Sequence, residues 1–132
     1  MPVKQELEYL ENYIALQKVR ASSKLRLQVD FEEELADEPI HPLLLLPLVE
    51  NAFKYIGGDY KISISARSRD NRLVFSVVND IPAQMPVNGN YSGIGLDNLR
   101  RRLLLLYPGR HNLVTMREET RFVANLELDF KS

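Results

Sequence analysis

The sequence predicts a two-layer α/β sandwich of the α+β kind, with a mixed, mostly antiparallel sheet covered by helices on one face. Three observations lead there. Helical and strand periodicities alternate in the order α-β-α-β-β-α-β-β along the chain. Short polar links join two of the strand pairs and read as hairpins, which makes the sheet antiparallel or mixed. All three helical segments are amphipathic, so each needs an apolar layer to cover. The 132 residues fit one domain spanning 1–132, with 45% hydrophobic and 27% charged residues.

In chain order, Val3, Leu7, Leu10 and Ile14 recur at helical spacing and predict a helix from Val3 to Arg20. Leu25, Leu27, Val29 and Phe31 alternate with polar residues as a half-buried strand does. An acidic stretch over 32–38 reads as a turn. Pro42 suits the first turn of a second helix over 43–55, with Pro47 placed to bend it and Gly57-Gly58 to end it. Tyr60, Ile62, Ile64 and Ala66 make one strand, and Leu73, Phe75 and Val77 the next, linked by Arg69-Asp70-Asn71. Residues 80–95 are rich in Pro, Gly, Asn and Ser and form a loop by composition. Leu96, Leu99, Leu103 and Leu106 mark a third helix, stopped by Pro108-Gly109. Strands over 112–117 and 121–130 close the chain, with Phe122, Ala124, Leu126 and Leu128 on one face.

Composition narrows the function. Seventeen basic and 18 acidic residues leave a formal charge of −1, without the basic excess of a nucleic-acid partner. The absence of cysteine excludes disulfides and thiolate metal sites. The longest apolar run, 43–49, is too short to cross a bilayer, and Met1 leads into an acidic amphipathic segment unlike a signal peptide. A soluble piece is expected, whether or not its parent chain is anchored in a membrane.

Three segments carry possible chemistry. On the second helix, Glu50 and Lys54 share a face with Asn51 beside them. That set offers a carboxylate, an amide oxygen suited to Mg²⁺ and a cation suited to phosphate, although a plain i,i+4 surface pair has the same spacing. In Ser92-Gly-Ile-Gly-Leu-Asp-Asn98, two glycines precede a helix start, where free N–H groups can meet an anion. An ordinary turn into a helix reads the same way. The long loop between them has the length of a functional lid.

Taken in order, these segments resemble the GHKL ATPase superfamily, and within it the LytS-like sensor histidine kinases. The stretch Ile40-His-Pro-Leu-Leu-Leu-Leu-Pro-Leu-Val-Glu-Asn-Ala-Phe-Lys54 looks like their proline-leucine run and N box. Gly93-Ile-Gly-Leu-Asp-Asn-Leu-Arg-Arg-Arg-Leu103 and Leu106-Tyr-Pro-Gly109 are similar to their closing motif. The opening Leu10-Glu-Asn-Tyr-Ile-Ala-Leu-Gln17 resembles the segment that joins the phosphoacceptor region to the catalytic domain.

The resemblance implies a Bergerat-type ATP-binding fold and a histidine kinase that uses ATP and Mg²⁺. Asn51 would ligate Mg²⁺, Glu50 would orient or activate the phosphoacceptor, and Lys54 would lie near the phosphates. Gly93 and Gly95 would form the glycine box, and Asn98 would support the lid. It further implies histidine-bearing dimerisation helices joined through residues 1–20, a response regulator of LytTR type, and a cytoplasmic position in a membrane-anchored parent. The acceptor histidine would lie outside this chain, because neither His41 nor His111 has a helical phosphoacceptor context.

One departure stands out. Where the family's adenine-binding Asp and the glycine after it belong, this chain has Asn79 and Ile81. An amide oxygen still accepts a hydrogen bond from an adenine amino group, though a weaker one than a carboxylate accepts. Tyr55 stands where relatives often have His. These changes leave open a second reading, a degenerate module of the same fold that binds nucleotide poorly and acts by contacting partners.

Overall fold

Residues two apart on a strand share a face, and in β2, β3 and β5 the buried apolar ones fall on the same side of one sheet. The computed structural model describes residues 1–35, 38–82 and 96–130. Its elements are α1 (Val3–Arg20), β1 (Arg26–Phe31), α2 (Leu46–Lys54), β2 (Lys61–Arg69), β3 (Arg72–Asp80), α3 (Asp97–Leu106), β4 (His111–Arg117) and β5 (Arg121–Asp129). The predicted order of elements is reproduced. The strands lie side by side as β1-β2-β3-β5-β4, with β1 parallel to β2 and the remaining pairs antiparallel.

Register sets large side chains beside small ones on the covered face. Phe75 lies opposite Ala66 on one neighbour and Leu126 on the other, and Val77 lies between Ile64 and Ala124. Leu48, Val49 and Ala52 of α2 and Leu99 and Leu103 of α3 are buried in the same core, as is the α1 stripe of Val3, Leu7, Leu10 and Ile14. The other face carries Ser65, Ser76 and Asn125, with the Ser76 hydroxyl donating to Asn125 Oδ1 at 2.5 Å. Between β2 and β3 the chain reverses through Asp70 and Asn71, both at positive φ, as a two-residue hairpin turn requires.

The second helix departs from expectation at its start. It begins at Leu46 rather than Leu43, so Pro47, not Pro42, occupies its first turn and does not bend it. A first-turn N–H has no intrahelical partner, so proline costs nothing there. Before it, Leu43 has φ 57°, a left-handed conformation that costs a non-glycine residue about 1 kcal/mol.

Glu6 explains how that turn is held. Although it lies on the first helix, its side chain is fully buried. Leu43 N–H donates to its Oε1 at 2.7 Å and Leu45 N–H to its Oε2 at 2.6 Å. From the other side, Arg102 of α3 donates to the carbonyls of Leu43 (3.0 Å) and Pro42 (2.8 Å). Burial raises the Glu6 pKa above the usual carboxylate value, against the opposing pull of the backbone N–H groups at 43–45 and of Arg102.

At its far end α2 is tied to the end of β3. Gly57 N–H donates to the Asp80 carbonyl at 3.1 Å, and Lys61 N–H to Asp80 Oδ2 at 3.2 Å. The fit is close: a Cβ on Gly57 would lie 2.5 Å from Pro82 Cδ.

Two outcomes follow from these contacts. Between the ordinary glutamate pKa and the raised folded value, the folded chain holds more protons than the unfolded one, so stability falls as pH rises through that window. Glu6→Gln removes that part of the pH dependence; urea midpoints from acid to neutral pH check it, and an unchanged slope contradicts it. Gly57→Ala destabilises the fold by about 1–3 kcal/mol because the proline ring must be displaced. An unfolding midpoint equal to wild type would show that the contact is not tight.

Candidate functional site

Burying an amide in an apolar layer is unfavourable unless it finds a polar partner. Among the described residues, the buried polar or charged side chains are Glu6, Asn51 and Asn79. Glu6 holds the turn before α2, and the other two are expected site residues. Asn51 is 6% exposed and sits on the same side of α2 as Leu48 and Ala52. Asn79 is 1% exposed and continues the buried row of Leu73, Phe75 and Val77 to the end of β3. It lies between Ile62 on β2 and Phe122 on β5.

Helix α2 packs on β3 and β2, so both amides belong to one helix–sheet layer. The Asn79 Nδ2 donates to the Asp80 carbonyl at 3.2 Å, which assigns Oδ1 as the acceptor side of the amide. Asp80, one residue on, is turned to the other face and is partly exposed. Asn79, and not Asp80, therefore stands at the helix-covered end of the strand. Ile81 is buried, its N–H donates to the Thr120 carbonyl at 3.0 Å, and its φ is not positive. The strand thus leaves the sheet here without the left-handed backbone that a glycine makes accessible.

Glu50, Lys54 and Asn98 are exposed. Glu50 and Lys54 form no ion pair with each other among the described residues, so the simple surface-pair reading of their spacing does not hold. Glu50 faces α1. The Tyr13 hydroxyl is held above its usual pKa chiefly by burial, then by the Glu50 charge and by Tyr9. Tyr13 also packs edge-on against Phe53 at 6.2 Å. Lys54 Nζ lies 5.4 Å from the centre of the Tyr55 ring, a cation–π distance. Asn98 lies in the first turn of α3. Gly93 and Gly95 lie outside the described residues.

Neither histidine is on a helix. His41 N–H donates to the Tyr107 hydroxyl at 3.1 Å and its ring meets Tyr107 edge-on. His111 Nδ1 lies 2.7 Å from the Tyr107 carbonyl, which can only accept, so this nitrogen carries the proton. Glu6 and Arg102 are not among the site residues expected from the sequence. A signal existed for Glu6, which falls between Val3 and Leu10 on the buried stripe of α1 at i+3 and i+4 spacing.

No protein-family model matches the chain. It is 28% identical over 102 residues to the sensor histidine kinase BtsS of Escherichia coli K12, covering 74% of this chain and 18% of BtsS. It is also 28% identical over 122 residues to the sensor protein LytS of Enterococcus faecalis, covering 81% of this chain and 21% of LytS. The chain thus spans about a fifth of the length of these curated relatives. Among solved structures, the catalytic domain of the histidine kinase ThkA superposes with a TM-score of 0.63 at 19% identity, covering 98% of this chain and 94% of that one. Residue pattern, fold and relatives agree: the chain is similar to sensor histidine kinases of the LytS kind and has the fold of a histidine kinase catalytic domain.

Proposed function

We propose that residues 1–132 are the catalytic domain of a two-component sensor kinase, which binds Mg-ATP and passes its γ-phosphoryl group to a histidine elsewhere in the full-length protein. The observation that carries this reading is the pair of buried amides, Asn51 on α2 and Asn79 on β3, in one helix–sheet layer. Asn79 Oδ1 accepts from the adenine amino group, and the Asn51 side-chain oxygen serves the metal. An amide suits Mg²⁺, which keeps several waters and takes its other ligands from phosphates. When bound, the metal neutralises charge on the phosphate oxygens.

The other residues have positioning roles. Glu50, exposed at the surface of α2, orients the incoming histidine or accepts its proton. Lys54 meets phosphate as a point charge, and its place over Tyr55 keeps it at the end of α2. Gly93 and Gly95 offer backbone N–H groups to the phosphates, and Asn98 supports the lid. The partners proposed are histidine-bearing dimerisation helices joined through α1 and a response regulator of LytTR type. No helix among the described residues is long and apolar enough to cross a membrane. A cytoplasmic placement within an anchored parent is part of this proposal.

The Asn79 and Ile81 substitutions favour a second reading, a degenerate module with little nucleotide affinity. Calorimetric titration with a non-hydrolysable ATP analogue, with and without Mg²⁺, separates the two. Saturable, Mg²⁺-dependent binding that Asn51→Ala weakens about tenfold, or 1.4 kcal/mol, is the result expected of a kinase domain. Absence of binding at millimolar analogue, by protein with a cooperative unfolding transition, sinks the kinase reading and leaves the interaction module.

A further inference from the structure

The run of residues 38–45 is held by both neighbouring helices. Its first half is stitched to the start of α1, with Val3 N–H donating to the Glu38 carbonyl at 3.0 Å and Ile40 N–H to the Met1 carbonyl at 2.7 Å. Its second half lies between Glu6 of α1 and Arg102 of α3. Leu43 is gripped at both of its backbone groups, its N–H by Glu6 and its carbonyl by Arg102. It is also the residue with φ 57°, in the left-handed region. A leucine stays there only where its surroundings over-determine it.

The location gives this grip a consequence. Helix α2 starts at Leu46, and Asn51 lies about 9 Å along its axis from Leu45 at the usual rise per residue. Glu50 and Asn51 therefore ride on a short rigid lever whose foot is the gripped turn. An apolar residue in place of Glu6 would fill the stripe between Val3 and Leu10 without burying a charge. What it would not do is bind the N–H groups at 43 and 45.

We infer that Glu6 and Arg102 are positioning residues that set where α2 places Asn51, so that α1 and α3 both govern the site. The inference rests on the nucleotide reading for what Asn51 does, but not for where it is placed. Leu43 supplies the handle for a test. Glycine adopts a positive φ without strain, so Leu43→Gly lessens the need for the grip.

Because Glu6→Gln alters a fully buried group and can fail to fold, Arg102→Gln carries the experiment. The Asn51 side-chain amide signal, assigned by its loss in Asn51→Ala, is followed by NMR without nucleotide in wild type, Arg102→Gln, Arg102→Gln/Leu43→Gly and Arg100→Gln. The ATP analogue is then titrated into each at a temperature where all are folded. The expected result is that Arg102→Gln shifts the Asn51 signal and weakens Mg²⁺-dependent binding about fivefold, while the added Leu43→Gly restores both. Arg100→Gln removes the same charge from the same helix but touches Thr115 and Asp97 instead, and changes neither. An Asn51 signal unmoved by Arg102→Gln overturns the inference. So does a shift that Arg100→Gln reproduces. If wild type binds no nucleotide yet the Asn51 signal shifts and is restored, the positioning stands and the nucleotide reading falls.

Discussion

The structure depends on how α2 is laid across β3. This nine-residue helix is too short to be stable alone, so its conformation comes from what it packs on and what holds its ends. Its apolar side, Leu48, Val49 and Ala52, closes the core over β3 and β2. Its leading end is held by Glu6 and Arg102, and its trailing loop is bonded to Asp80 through Gly57 and Lys61. With both ends tied and one side buried, the helix has little freedom to turn. Asn51 is consequently fixed in the same layer as Asn79.

That fixation bears on the chemistry proposed for the site. Phosphoryl transfer asks a protein mainly for position and charge neutralisation, so the value of Asn51 lies in where its oxygen is held. Two features of the molecule differ from the family pattern in opposite senses. On the proposed reading, Asn79 takes the place of the family's Asp, with an acceptor oxygen but without its charge. Ile81 stands at the glycine position that the resemblance implies, with a buried side chain and a φ that is not positive. On that reading the first would preserve recognition of an amino group in weaker form. The second removes the backbone freedom that a glycine would provide beside it.

Most of the fold was legible because the periodicities are clean. The alternation of Leu73, Phe75 and Val77 identified β3 and, by extension, the inward placement of Asn79. The start of α2 was not legible, since two prolines five residues apart both suit a first turn. The choice of Pro47 is made by Leu43, whose left-handed backbone is held by residues 37 and 59 positions away. No local pattern contains that information. For the same reason Glu6 read as one more charge on an amphipathic helix, although its spacing put it on the buried stripe. The spacing of Glu50 and Lys54 also suited a plain surface pair, the role of Asn98 rests on resemblance alone, and all three side chains are exposed.

On the proposed reading, the helix–sheet layer holding Asn51 and Asn79 receives a nucleotide. Backbone amide NMR spectra of the isotopically labelled chain, recorded while a non-hydrolysable ATP analogue and Mg²⁺ are added, test it most directly. The account predicts that the largest saturable shifts fall on Asn51, on residues 55–60 and on residues 79–82. Shifts confined to the opposite end of the sheet, around Arg72, Arg110 and His111, or no saturable shifts at all, would contradict it.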